Sequence, residues 1–136
     1  MTAKEYLSQY YWTQKRIESL KDELIQLEAA AEYVSPRAET GGSGMTDKVG
    51  SLAAKIADKK LKIYWLIESS IDLKAEIKAK IDRVEDQRYR YILTERYILC
   101  RKWEDIAAFL NYSVRQVHRL HGRALQKLSL NVTIDV

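Results

Sequence analysis

The sequence predicts an all-α chain, with a long antiparallel helical hairpin of coiled-coil type followed by a C-terminal helix-turn-helix. Three observations predict it. Apolar residues recur at heptad spacing through residues 3–34 and again through 49–77. Helix breakers are scarce and clustered: there is one Pro and five Gly in 136 residues, and Pro36, Gly41, Gly42 and Gly44 fall together. Finally, residues 103–128 place apolar, small and turn-forming residues where two short crossing helices need them.

Residues 3 to 34 read as one helix. Ala3, Tyr10, Ile17, Leu24 and Ala31 occupy position a of a heptad, and Tyr6, Thr13, Leu20, Leu27 and Val34 occupy position d. All but Thr13 are apolar or aromatic, a narrow seam suited to packing on another helix at a shallow angle. At ~1.5 Å per residue the helix is ~48 Å long. The next stretch, SPRAETGGSG, reads as a break, because Pro36 disfavours helix at Ser35 and the Gly/Ser run favours a flexible loop over 35–46. GGSG has no following Lys-Ser/Thr and no preceding strand, so it is not read as a phosphate loop. A second helix is expected from Thr46 or Asp47 to Ile81, with Val49, Leu52, Ile56, Ile63, Leu66, Leu73 and Ile77 on its seam and Lys59, Ser70 and Lys80 interrupting it.

Two helices of similar length joined by a short break favour an antiparallel hairpin. Several apolar residues lie off both seams: Leu7, Tyr11, Trp12 and Ile25 on the first helix, and Tyr64, Trp65, Ile67, Ile71 and Ile81 on the second. An isolated hairpin cannot cover them; a homodimer forming a four-helix bundle through the N-terminal helices would, and so would partial docking on the C-terminal domain. The homodimer is the favoured expectation. From Asp82 to Cys100 the pattern continues as a supporting helix, with Val84, Tyr91, Ile92, Tyr97 and Ile98 on its apolar side. The tail LNVTIDV alternates like a short strand. The chain thus divides into a hairpin and oligomerisation region over 1–81 and a helix-turn-helix domain over 82–136.

With Trp103 as the first of twenty positions, a helix-turn-helix needs apolar side chains at positions 4, 8, 10, 15 and 18. The sequence supplies Ile106, Leu110, Tyr112, Val117 and Leu120. Position 5, where the helices cross closely, is Ala107. The turn residue must go left-handed and is Asn111, the most tolerant type after Gly. Ser113 then stands where the second helix needs an N-cap.

Charge points to a partner. The net charge is +4, with 13 basic against 12 acidic residues in 1–81 and 10 against 7 in 82–136. From Ser113 to Leu128 there are Arg115, Arg119, Arg123 and Lys127, two histidines and no acidic residue. A helix that needed only solubility would mix both signs, so this segment reads as binding duplex DNA. The second helix, 114–128, would enter the major groove, with Arg115, Gln116, His118 and Arg119 facing base edges. Arg123 and Lys127 lie further along and suit phosphate. Arg101 and Lys102, just ahead of the first helix, can reach the backbone, and Ser113 joins them as the capping residue. Gly122, costly in a helix interior, suggests a close approach by another backbone or by DNA.

Other chemistries find no support. His118 and His121 lack a third metal ligand, and no spacing suggests a nucleophile with its base or a carboxylate pair, so neither a metal nor another cofactor, nor catalysis, is expected. The lone Cys100 excludes an internal disulfide, fits a reducing cytoplasm and reads as a buried packing residue. The opening MTAKEYLSQYYW lacks the basic start and apolar core of a signal peptide, and no apolar run approaches a membrane span, so a cytoplasmic location is expected.

The stretch from Trp103 to Leu128, with Ser113, Val117, Arg123, Ala124, Leu125 and Leu128 matching position by position, resembles region 4 of the sigma-70 family. Extended upstream through ERYILCRKWEDIAAFLNYS and on to HRLHGRAL, it is similar to the phage ArpU/RinA-type transcriptional regulators. The resemblance implies a regulator of phage or prophage genes that binds DNA and acts with host RNA polymerase. Lys102 departs from it, standing where sigma region 4 usually has a Ser/Thr cap. No other sigma region is present, so a complete sigma factor is not implied. Two other functions fit the same features: a DNA-packaging protein such as a phage small terminase subunit, and a module whose basic helix meets RNA polymerase rather than DNA.

Overall fold

A computed structural model describes the backbone of residues 1–38 and 43–131, and the side-chain environments of 1–33 and 47–129. The described residues are all-α, with no strand among them. The helices are α1 (Ala3–Ala38), α2 (Ser43–Ile81), α3 (Gln87–Leu93), α4 (Trp103–Leu110) and α5 (Val114–Asn131), with a π-helical turn at Thr94–Ile98 running on from α3. None of the described helices is long and apolar enough to cross a membrane. By its packing the chain forms two units, Gln14–Ser69 and Met1–Thr13 with Ser70–Val136, so α1 and α2 each contribute to both. This division differs from the expected 81/82 boundary because Ala3, Tyr6, Leu7, Ile77 and Ile81 share one buried cluster with the C-terminal helices.

In the 14–69 unit the heptad seams meet. Ile17 and Leu20 of α1 bury against Ile63 of α2, with Leu24, Leu66 and Ile67 packed around them. Glu23 pairs with Lys59 at 2.8 Å and Glu28 with Lys60 at 3.9 Å, so positions later in α1 meet earlier positions in α2. Both pairs lie at the surface, where water and salt screen them, so they add little to stability. Three of the side chains placed off the seams, Ile25, Tyr64 and Trp65, are 64%, 53% and 60% exposed, joined by Leu61 and Tyr33. The loop expected over 35–46 needs correction. Helical backbone extends through Ser35, Pro36, Arg37 and Ala38 and is already present from Ser43. Pro36 therefore removes one donor from α1 without ending it. The remaining residues of that loop lie outside the described ones.

The other unit holds the main core. Helix α1 opens with a reciprocal cap: Glu5 N–H donates to Thr2 Oγ1 (3.1 Å) while Thr2 N–H donates to Glu5 Oε2 (2.9 Å). Tyr6 then donates its hydroxyl to Glu76 at 2.8 Å, with the Lys80 ammonium 4.2 Å over its ring. Leu7 and Ile81, expected off the seams, are fully buried. They face the third partner that a two-helix seam lacks, the cluster built by Val84, Ile92, Leu93, Ile106 and Leu128. Each of these large fully buried aliphatics contributes about 1.5–3 kcal/mol.

The supporting helix expected from Asp82 to Cys100 is interrupted. Helix α2 ends at Ile81; Val84 N–H turns back to Ile81 O (3.0 Å), and Asp86 caps α3 by accepting from Arg88 N–H at 2.8 Å. Arg90 satisfies the carbonyls the break leaves open, donating to Val84 O (2.7 Å) and Glu85 O (2.9 Å). Val84, Ile92, Tyr97 and Ile98 are buried as expected and Tyr91 half-buried, while Tyr89 and Leu93 join them. The π turn is closed by Leu99 N–H to Thr94 O at 3.1 Å. Cys100 follows at φ 56°, exposed rather than buried, because the chain must swing left-handed there to start α4. Of the tail expected to alternate as a strand, Leu130 and Asn131 belong to α5, and 132–136 lie outside the described residues.

Candidate nucleic-acid interface

The geometry that positions α5 starts at the end of α4. Asn111 adopts φ 58°, ψ 37°, the left-handed conformation its position requires. Tyr112 N–H then returns to Ala107 O at 3.0 Å, and Asn111 N–H to Ala108 O at 3.3 Å, so the last carbonyls of α4 are satisfied. Ile106, Ala107, Val117 and Leu120 are buried where the two helices meet, and Leu110 and Tyr112 pack half-buried against them.

Helix α5 opens with a second reciprocal cap. Gln116 N–H donates to Ser113 Oγ at 3.1 Å, and Ser113 N–H donates to Gln116 Oε1 at 2.9 Å. Ser113 and Gln116, both candidates for DNA contact, are thus joined to each other. The amide oxygen of Gln116 is committed to the cap, and its NH2 group is what remains to meet a base or phosphate. Ser113→Ala is expected to lower stability by about 1 kcal/mol, read as a urea midpoint shift at unchanged m-value.

Three rings and one cation brace the start of α4. Trp103, half-buried, has the Arg96 guanidinium 4.5 Å over its ring, the His118 ring 4.8 Å away and the His121 ring 4.6 Å away. Arg96 also donates to Arg101 O at 3.0 Å. This brace holds Lys102, whose backbone starts α4 without a side-chain cap, in extended geometry. Arg101, expected at the DNA backbone, forms an ion pair with Glu95 and donates its N–H to Glu95 O. It is exposed, yet part of its charge is already answered. Arg96 had no sequence signal, since a cation over a ring depends on a tertiary crossing.

His121 is 8% exposed and lies 2.6 Å from the Tyr97 hydroxyl through its Nε2. Burial, reinforced by the positive charges of Lys4, His118 and Arg96, pushes its pKa down to about 4, and burial pushes Tyr97 up to about 12. Both are therefore neutral near pH 7, a packed polar pair under the helix rather than a ligand set. Among the described residues no group of three or more His, Cys, Asp or Glu could hold a metal ion.

The opposite face of α5 is where charge gathers. Val117, Leu120, His121, Ala124 and Leu128 point into the core. Projected at ~100° per residue, Arg115, Arg119, Gly122 and Gln126 fall within about 60° of one another on the far side. Arg123 and Lys127 sit on one flank of that face and His118 on the other, all exposed. Among the described residues no acidic group pairs with Arg115, Arg119, Arg123 or Lys127. Of the four side chains expected at base edges, Arg115 and Arg119 lie on this face and His118 on its flank. Gln116 instead lies about 100° round from Arg115 and closes the Ser113 cap. Gln126 is an addition, brought to the same side by its spacing of eleven from Arg115. Gly122 has ordinary negative φ, and a Cβ built on it would meet nothing within 4 Å. Packing among the described residues therefore does not require the glycine, which costs ~1 kcal/mol against alanine in a helix interior.

Compared with family models, curated proteins and solved structures, the chain matches none.

Proposed function

We propose that this chain is a sequence-specific DNA-binding transcriptional regulator. In this reading it joins an antiparallel helical hairpin to a sigma region 4-like helix-turn-helix made by α4, its left-handed turn and α5. The observation that carries the proposal is the acid-free outer face of α5, where Arg115 and Arg119 stand without ion-pair partners among the described residues, opposite the stripe that anchors the helix. A helix of ~10–12 Å diameter fits a major groove ~12 Å wide. Arg115 and Arg119 then read base edges, and Arg123, Lys127 and Lys102 answer phosphates. The sigma and phage-regulator resemblance gives the same reading and suggests phage or prophage genes as targets.

The regulator acts as a homodimer. Among the described residues of the 14–69 unit, two helices bury three apolar side chains, with three more partly buried against them, and leave Ile25, Tyr33, Leu61, Tyr64 and Trp65 more than half exposed. A second copy supplies the same surface and is the simplest cover for it.

Selection of binding sites from random duplex DNA tests both statements. The expected outcome is an enriched motif arranged as inverted half-sites about one helical turn apart, bound with a log affinity that falls steeply with log salt. Recovery of no motif, with equal affinity for selected and random duplexes, would overturn the regulator. Rings of many subunits without sequence preference would point to packaging of DNA instead.

A further inference from the structure

We infer that Gly122 is the point at which bound duplex DNA comes into van der Waals contact with the main chain of α5. The inference rests on the DNA-binding reading above and adds a residue to it. Gly122 sits inside the 18-residue α5, well away from either end, in ordinary helical conformation. Glycine there lowers the folding equilibrium constant about fivefold relative to alanine, since its backbone loses more freedom on folding. Three uses of glycine inside a structure would offset that loss: a positive φ, a helix end, or a neighbour too close for a Cβ. None holds among the described residues, because φ is negative, the helix continues for nine residues, and none of them lies within 4 Å of where a Cβ would stand.

What remains is a neighbour from outside the chain, and the surroundings specify its chemistry. Arg115, Arg119 and Arg123 flank the glycine, with Gln126 one turn further on, and α5 carries no carboxylate. A polyanion matches that face. Along the helix, Arg115 and Arg119 lie in the half that faces base edges, and Gly122 follows one turn later. The missing side chain lets the helix axis settle deeper there, so that the two arginines reach the groove floor. Gly122 is in this sense a positioning residue: it touches DNA through its absent Cβ and acts through the arginines.

The test uses the full chain, its Gly122→Ala and Gly122→Leu variants, and Arg115→Ala/Arg119→Ala as a control. Each is measured for thermal midpoint and for affinity toward both a duplex recovered by selection and a mixed-sequence duplex. Alanine and leucine are both strong helix formers, so both variants are expected to melt a few degrees higher than the parent. Affinity for the selected duplex is expected to fall about tenfold with alanine and a hundredfold or more with leucine, in order of side-chain size. Unchanged affinity in both variants, with the parent binding normally, would overturn this inference and leave the DNA reading intact. A lower midpoint in Gly122→Ala would overturn it too, by showing that the fold itself needs the glycine. If the parent binds neither duplex, the DNA reading fails and this inference falls with it.

Discussion

Replacing Arg115 and Arg119 together by alanine is expected to weaken binding to a selected duplex by about a hundredfold or more while leaving the fold intact. Each arginine that reads a base edge contributes roughly 1–3 kcal/mol, and the two lie one turn apart on the same face. Both are exposed and without ion-pair partners among the described residues, so their loss opens no cavity and strands no buried charge. Surface changes of this kind shift stability within about 0.5 kcal/mol. Salt titration then separates two roles. If an arginine contacts phosphate, its removal lowers the slope of log affinity against log salt by about one; if it reads a base, the slope holds and preference among sequences relaxes. Unaltered affinity in the double variant would show that α5 does not enter the groove by this face.

Acidification from pH 6.5 toward 4.5 is expected to destabilise the unit that holds His121. His121 carries a pKa of about 4 in the folded chain, against an ordinary value near 6.5. Between those values the unfolded chain binds a proton that the folded chain refuses. Stability is therefore fully present above pH 6.5 and is lost as pH falls toward 4, by about 1.4 kcal/mol per unit and about 3 kcal/mol in all. Glu23, Glu76 and Asp86, whose pKa values are lowered chiefly by hydrogen bonds from Lys59, Tyr6 and Arg88 respectively, add their own loss only in the more acidic range. Urea denaturation at half-unit steps from pH 7 to 4.5 isolates the histidine. His121→Gln, which keeps an acceptor for the Tyr97 hydroxyl but cannot titrate, should flatten the curve in that window. An equally steep curve in this variant would place the acid sensitivity elsewhere.

Much of this architecture could be read locally. The heptad seam named the residues that bury in α1, because a helix that packs on one neighbour exposes every other face to water. Ile17 and Leu20 are buried for that reason and Leu24 and Leu27 half-buried, while Ala3 and Tyr6, on the same seam, are buried in the cluster that the C-terminal helices share. Asn111 and Ser113 could be assigned because a left-handed turn and a helix N-terminus each need a particular side-chain chemistry within a few bonds. Other expectations meet a different outcome in the fold. Leu7 and Ile81 are surplus to a two-helix seam, and distant residues in a third layer bury them. Cys100 has apolar character, yet the left-handed chain path into α4 turns it outward. Pro36 stands inside α1 rather than ending it.

By itself the sequence determined the helical class, the order of elements, the α4–α5 turn and the absence of acid along α5. Each is a matter of spacing or composition within one short segment. Among the described residues, only the tertiary structure decided which basic groups remain unpaired, that Arg96 and two histidines brace Trp103, and that Gly122 has open space around it. Those depend on which surfaces meet, and residues far apart in the chain meet only when the core that joins them has formed.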